Sequence, residues 1–340
     1  MPTKILLMTG AGASKPLGLP TTTEFTNALS GTGAKVLGFI QEYLGPTRKN
    51  DIEAVLSTLE NFNGGSEFTH FLFERLTSTP NHNSELTRFR RLHSEAATEL
   101  LRIKKAIHSQ LAKFDIARSL QLYQNLLKEI EAAYADWSLS FVTTNYDLTF
   151  DEAISSGLKK SDGSEVSVNT LFEMDRGRLI YSSRADFQWA DQSIEFFKIH
   201  GSLDWHFDNQ QRCTRSGAAT TPDNPEIVPI IYPGNKLVPE SEPFASLHQR
   251  FYRRLAEADV AFVVGFAFRD GYINTAFENV LAVRPKLPIY VINPLDISQF
   301  PSDSKLPSIV QRFLGVRHIK SGLLATESPL GLADILKNNP

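Results

Sequence analysis

Apolar residues in this chain fall into two patterns: short unbroken runs, and stretches that step by three or four. The first run, Lys4-Ile5-Leu6-Leu7-Met8-Thr9, stops at Gly10 and predicts a strand buried on both faces. Leu139–Thr143, Ile194–Ile199, Val260–Val264 and Ile289–Ile292 repeat that signature. A shorter strand is expected at Ile227–Tyr232, within a Pro-, Asn- and Thr-rich loop over 208–243. Helical spacing fills the intervals. One helix carries Phe25, Ala28 and Leu29 behind a cap at Thr21, Thr22 or Thr23. Others carry Phe150 and Ile154, run from Phe244 to Ala258, and carry Ile273 and Phe277, while 157–192 reads as a small polar excursion. Strands alternating with helices predict an α/β fold with a parallel sheet.

One block departs from the alternation. From Gly31 to Asp136 the pattern is helical throughout, through Ile52, Val55, Leu56 and Leu59, then Phe68, Phe71, Leu72 and Leu76. The strongest stretch runs from Ser84 to Phe114, where Leu86, Phe89, Leu92, Ala96, Leu100, Ile103, Ile107 and Leu111 recur without an internal Pro or Gly. Thirty helical residues span roughly 45 Å. Another helix follows through Leu120, Tyr123, Leu127 and Ile130. The expected organisation is a Rossmann-like sheet flanked by helices over 1–30 and 137–325, with an all-helical insertion over 31–136 after the first strand. Residues 326–340 are expected to be a C-terminal tail.

Composition narrows the setting. With 340 residues, 41% of them hydrophobic and 23 of them Phe, the chain can bury a substantial core. A formal charge of −3 gives no general support for nucleic-acid binding. The one cysteine, Cys213, rules out an intramolecular disulfide and a four-cysteine zinc site. No stretch approaches the roughly 20 apolar residues of a membrane span, and the Ile5–Met8 run is too short for a signal-peptide core. A soluble, cytoplasmic protein is expected.

Three strand ends carry polar or small residues. Gly10-Ala11-Gly12-Ala13-Ser14 can bring backbone N–H groups to a phosphate, with Ser14 adding a hydroxyl, although Lys15 stands where a dinucleotide fingerprint has its third glycine. A ligand-free tight turn would want the same glycines. Asn145 and Asp147 follow the second strand, and Asp147 alone reads equally as a helix cap. His200 precedes Gly201 at the end of an apolar strand, which suits a general base facing a crevice. Asp204 reads as a turn or orienting residue, and its spacing with His200 and His206 is not that of a metal-binding helix.

Together these segments resemble the sirtuin-like (silent-information-regulator type) NAD-binding family, in its divergent bacterial branch associated with antiphage defence. Gly10–Ser14 with Leu17-Gly18-Leu19-Pro20 resembles its nucleotide turn, Thr143-Thr144-Asn145-Tyr146-Asp147 its Asn/Asp strand end, and His200-Gly201 its catalytic histidine. Gly265-Phe266-Ala267 and Ile292-Asn293 fall where the family contacts phosphate and the adenosine ribose. The resemblance implies that Asn145 and His200 are catalytic. It places Gly10, Ala11, Gly12, Ser14, Thr144, Asp147, Gly265, Phe266 and Asn293 around NAD, with Asp147 on the nicotinamide carboxamide. Two departures stand out. The interval after His200 has only Cys213 where deacylating sirtuins carry a zinc module, and Thr21-Thr22-Thr23-Glu24-Phe25 replaces the Phe-Arg that commonly follows the proline.

Water is therefore the expected acceptor, and NAD the expected substrate, with no zinc. The reading implied is an NAD glycohydrolase releasing nicotinamide and ADP-ribose. Its rivals are a deacylase or ADP-ribosyltransferase, and a sensing module without turnover, for which a retained base would have no use. A defence enzyme of this kind has to be held inactive until triggered. Self-association through the long helix, or a separate regulatory protein encoded alongside, would provide that control. Arg88, Arg90, Arg91, Lys104 and Lys105 form a basic face for a partner or nucleic acid, or simply solvate the helix.

Overall fold

The computed structural model of the chain describes residues 1–21, 24, 35–48, 52–63, 82–183, 189–217, 229–231 and 241–321. Its strands are β1 (Thr3–Thr9), β2 (Trp137–Thr143), β3 (Ser167–Asn169), β4 (Phe172–Asp175), β5 (Arg178–Tyr181), β6 (Ser193–Lys198), β7 (Trp205–Phe207), β8 (Cys213–Arg215), β9 (Val260–Val264), β10 (Ile289–Asn293) and β11 (Val316–Lys320). Its helices are α1 (Lys35–Arg48), α2 (Ile52–Asn63), α3 (His82–Leu111), α4 (Ile116–Ala133), α5 (Thr149–Ser155), α6 (Phe244–Glu257), α7 (Gly271–Val283) and α8 (Leu306–Arg312). Among the described residues no helix is long and apolar enough to cross a membrane.

Seven strands form one parallel sheet in the order β11-β10-β9-β1-β2-β6-β3. From β1 the chain lays β2, β3 and β6 on one side, with β6 between the other two, and then returns to build β9, β10 and β11 outward on the other. The reversal lies between β1 and β9, the position where open α/β sheets form a crevice beyond their carboxyl ends. Alternation along each strand divides the core. Ile5, Leu7, Leu139, Phe141 and Phe196 meet α4 and α5 on one face, whereas Leu6, Met8, Val142, Phe197 and Val263 meet α6, α7 and α8 on the other.

The helical block is smaller than its sequence pattern suggested. Leu122, Tyr123, Leu126, Leu127 and Ile130 of α4 bury against β1, β2 and Phe150, so α4 is the crossover helix of the sheet and not part of the insertion. The stripe of α3 packs within the chain: Ala96, Leu100, Ile103 and Ile107 join Ile40 of α1 and Val55, Leu56 and Leu59 of α2. Those residues are spent on the chain's own core and so offer no oligomer contact. The side chains of Leu86, Phe89 and Leu92 lie outside the described residues, as do 64–81, the helix expected around Phe25, and 326–340. The expected basic face is not continuous either. Lys104 is buried and pairs with Glu60 at 3.1 Å, Arg91 pairs with Glu95 at 2.9 Å, and the side chains of Arg88 and Arg90 are outside the description.

The polar excursion adds β3 to the edge of the main sheet and supplies β4 and β5 to a second, antiparallel sheet completed by β7 and β8, in the order β4-β5-β8-β7. The strands of that second sheet are only three or four residues long, too short for a periodicity to register. The strand expected at 227–232 is a single antiparallel bridge between Ile230 and Gly201, with 227, 228 and 232 outside the described residues.

Candidate active site

The strand ends of β1, β2, β6, β9 and β10 share the carboxyl edge, and each expected site residue lies there. After β1 the chain makes two short 3₁₀ turns, Ala11–Ala13 and Lys15–Leu17. This turn packs directly on the end of β9. A Cβ on Gly265 would stand 2.3 Å from Ala13 N, and one on Gly10 would stand 2.8 Å from Gly265 O. The contact consumes donors: Gly10 N–H donates to Val264 O and Gly12 N–H to Gly265 O, both at 3.0 Å, while Ala13 N–H and Ser14 N–H turn back on Gly10 O and Ala11 O. The glycines thus serve backbone packing first. Of the five residues Gly10–Ser14, only Ala11 keeps an N–H without a partner among the described residues.

Asn145 is held by that turn. Its Nδ2 donates to Gly10 O at 3.0 Å and to Ser14 Oγ at 2.9 Å, and Oδ1 accepts no hydrogen bond among the described residues. Ser14 Oγ in turn donates to Asp147 Oδ2. The other Asp147 oxygen accepts Thr149 N–H at 3.1 Å and Thr149 Oγ1 at 2.6 Å, at the start of α5. Thr149 Oγ1 continues the chain to Tyr123 OH at 2.9 Å. Both oxygens of the buried Asp147 carboxylate therefore have protein donors. Thr144 N–H donates to Thr9 O at 3.0 Å, linking the ends of β1 and β2. Thr9, Tyr123, Thr143, Asn145, Asp147 and Thr149 line a cavity of about 10 Å³, closed below by Phe141, Phe150 and Phe196. That is about the room one water needs.

His200 follows β6 as Asn145 follows β2: Thr143 and Lys198 are the last partners of the β2–β6 ladder, and the two candidate residues lie two positions beyond each. His200 Nε2 is 3.2 Å from Asp270 Oδ2, and its ring stacks on His248. The next residue, Gly201, has φ +90, and a Cβ there would lie 1.9 Å from Pro229 O. Ile231 N–H donates to His200 O, and Tyr146 OH donates to Ile231 O. On the far side of the turn, Gly265 N–H donates to Ile292 O, and Asn293 Oδ1 accepts Leu295 N–H at 3.0 Å. Gly265, Phe266 and Asn293 thus lie on the β9–β10 side of the glycine turn, and Asn145 and His200 on its β2–β6 side.

A family model for the SIR2-like domain matches residues 139–308, half of the chain. The chain belongs to the SIR2-like domain family. The matched span runs from β2 into α8, and so includes Asn145, His200 and Asp270 but not the glycine turn or α1–α3. None of the curated proteins matches the sequence. Among solved structures it is similar to a Sir2 homolog in complex with NAD, at 14% identity and TM-score 0.44, covering 99% of this chain and 89% of that one. A mutant Sir2 homologue in complex with ADP ribose aligns at 15% identity and TM-score 0.42, covering 98% and 89%.

Within this SIR2-like domain, a buried ion network that sequence reasoning missed holds the His200 loop. Lys198 Nζ lies 2.7 Å from Asp151 Oδ2, off the hydrogen-bonding direction, and donates to Ser202 Oγ at 2.8 Å and Asp147 O at 2.5 Å. Ser202 Oγ donates to Asp204 Oδ1, and Arg215 of β8 bridges Asp204 and Asp151 at 2.6 and 2.5 Å. Burial opposes the Asp204 charge, yet Lys198 and Arg215 hold its carboxyl below the usual range. Asp204 is therefore an orienting residue, as its position after His200 suggested. Apart from Asp151 Oδ2, which has only the ion-pair contact, these groups are hydrogen-bonded to one another and tie the loop to β8 and α5. Asp270 and His248 were also missed. Asp270 sits just ahead of the apolar α7 pattern and was legible only as a helix cap. Among the described residues, no three His, Cys, Asp or Glu side chains gather as metal ligands would.

Proposed function

We propose that this chain is an NAD glycohydrolase, using water to release nicotinamide and ADP-ribose. The observation that carries the reading is that Asn145 and His200 follow the ends of the paired strands β2 and β6, with Asn145 held by Ser14. Asn145 has its amide N–H₂ fixed by Gly10 and Ser14, so its Oδ1 is aimed to orient a water or a ribose hydroxyl. His200 is the base, taking a proton near that site. The free Ala11 N–H, and the Phe266 N–H that no protein group accepts among the described residues, flank the β1–β9 reversal and suit a pyrophosphate. Thr144, Gly10, Gly12 and Gly265 shape that approach, and Asn293 is placed for the adenosine ribose.

Asp147, with both oxygens engaged by Ser14 and Thr149, aligns Asn145 and α5, and Oδ2, which has one donor, keeps a lone pair for the carboxamide that the resemblance assigns to it. The wider proposal is a cytoplasmic effector of antiphage defence, restrained by self-association or by a separate regulatory protein. Packing of α1–α3 against Tyr146, Leu148 and Leu203 favours control from that side, because those residues flank Asn145, Asp147 and His200. The test is nicotinamide release from NAD by purified protein, with and without candidate activators and with an acylated peptide. Free ADP-ribose without an acceptor is expected. Product formed only with the acylated peptide would replace this reading with deacylation.

A further inference from the structure

His200 is held from two sides. Its Nε2 faces Asp270 Oδ2 at 3.2 Å, with the two side chains only 10% and 4% exposed. Its ring lies over His248, 5.9 Å between centroids and 28° between planes. Asp270 is itself fixed before it meets the imidazole. As the N-cap of α7, its Oδ1 accepts Tyr272 N–H at 2.9 Å and Ile273 N–H at 3.0 Å, which aims Oδ2 outward from the helix. His248 is also set: its Nδ1 lies 3.0 Å from Phe244 O, and Tyr272 packs edge-on to its ring. Asp270, His248 and Tyr272 are titratable groups that face the His200 ring or its neighbour.

We propose that Asp270 is a positioning residue that fixes the His200 tautomer with its proton on Nε2, leaving Nδ1 as the nitrogen that accepts a proton in the reaction. The contact lies off the hydrogen-bonding direction, but a carboxylate 3.2 Å from a ring nitrogen favours by its charge the tautomer that carries the hydrogen there. The neutral ring then has one acceptor left. When Nδ1 takes a proton from a hydroxyl or water, the oxygen keeps the bonding pair, Nε2–H stays in place, and Asp270 stabilises the resulting imidazolium. The helix N-terminus behind Asp270 supplies its carboxylate with two backbone donors. The catalytic half of this inference rests on the hydrolase reading; the tautomer half does not.

Asp270→Asn separates the two duties of this side chain. Asn caps helices as well as Asp does, so α7 keeps its first turn. With its oxygen turned to the helix, however, the amide presents N–H₂ to Nε2 and drives the ring proton to Nδ1. Turnover should fall by at least about 10²-fold, mainly in kcat, and the acidic limb of the pH–rate profile should move to lower pH. The melting temperature should hardly change. ¹⁵N NMR of histidine-labelled full-length protein, with the His200 signals assigned from His200→Gln, should report Nε2–H in the native protein and Nδ1–H in Asp270→Asn. A native His200 protonated on Nδ1 would overturn the inference, with or without any variant. So would an Asp270→Asn protein with an unchanged tautomer and an unchanged pH profile. The expected tautomers in a protein whose His200→Gln form still hydrolyses NAD would uphold the positioning and reject the hydrolase reading alone.

Discussion

Ser14 Oγ donates to Asp147 Oδ2 at 2.9 Å, joining two turns that are 133 positions apart. The same hydroxyl accepts Asn145 Nδ2 at 2.9 Å, so one small side chain aligns both polar residues beyond β2. Removing it should be felt in stability and in chemistry. Ser14→Ala leaves a buried carboxylate short of one donor, which costs about 1–3 kcal/mol. Asp147→Ala should cost a similar amount, because Thr149 N–H and Oγ1 lose their acceptor. In a double-mutant cycle by urea unfolding the two should be coupled by about 0.5–3 kcal/mol. Strict additivity would mean that the bridge contributes nothing.

Asn145→Ala and His200→Ala should each lower nicotinamide release by at least about 10²-fold, the lower end for a positioned acid–base group. Both lie at a strand end facing the edge of the sheet, so the fold should survive by circular dichroism. The double variant should lose much less than the product of the two single losses, since both side chains serve one transition state. Wild-type turnover in the double variant would leave the family assignment standing for fold alone.

Gly265→Ala should destabilise strongly. Its φ is +62, and the new Cβ would meet Ala13 N at 2.3 Å and Gly12 C at 2.5 Å. Left-handed strain and overpacking together predict a loss of about 2–5 kcal/mol. Gly271→Ala is the internal comparison: its Cβ meets nothing within 4 Å at the start of α7, and it should be neutral or slightly stabilising. Thermal unfolding of the two variants checks the contrast, and equal midpoints would refute it.

Burial, and secondarily the proximity of His200, push the His248 imidazole down from 6.5 to about 4. The neutral ring is therefore the form that the fold prefers. Between about 6.5 and 4 the unfolded chain binds the extra proton, so this contribution is complete above about 6.5 and is lost as pH falls through about 4. The slope from this group reaches about 1.4 kcal/mol per pH unit. Urea unfolding from pH 7 to pH 4 should follow that trend, and His248→Phe should flatten it. A variant with the same acid limb as the native protein would assign the limb to other groups.

Local pattern was enough for the parts that local physics controls. A parallel strand buried on both faces has to be continuously apolar, so Ile5–Met8, Val260–Val264 and Ile289–Ile292 announced themselves, as did the polar residues where each run stops. Asn145 and His200 were legible because a polar side chain directly after such a run is already at the sheet's carboxyl edge. The 3.6-residue period likewise announced α3 and α4 but not their allegiance. Periodicity reports that a helix has an apolar face, not which surface covers it, and only the fold put α4 on the sheet and α3 over Tyr146 and Leu203.

Partner choice among polar groups was decided by tertiary structure alone. Asp270 caps α7, but its second oxygen meets His200, 70 positions earlier, only because β9 returns beside β1 after β6 has been laid down on the other side. The same holds for Lys198 with Asp151 and Arg215, and for the glycines of the first turn, whose need is set by the approach of Gly265. Hydrogen bonds and ion pairs act over a few ångströms. A chain can therefore state which groups it owns and where its strands stop, but which groups come within reach depends on the order in which the strands are assembled.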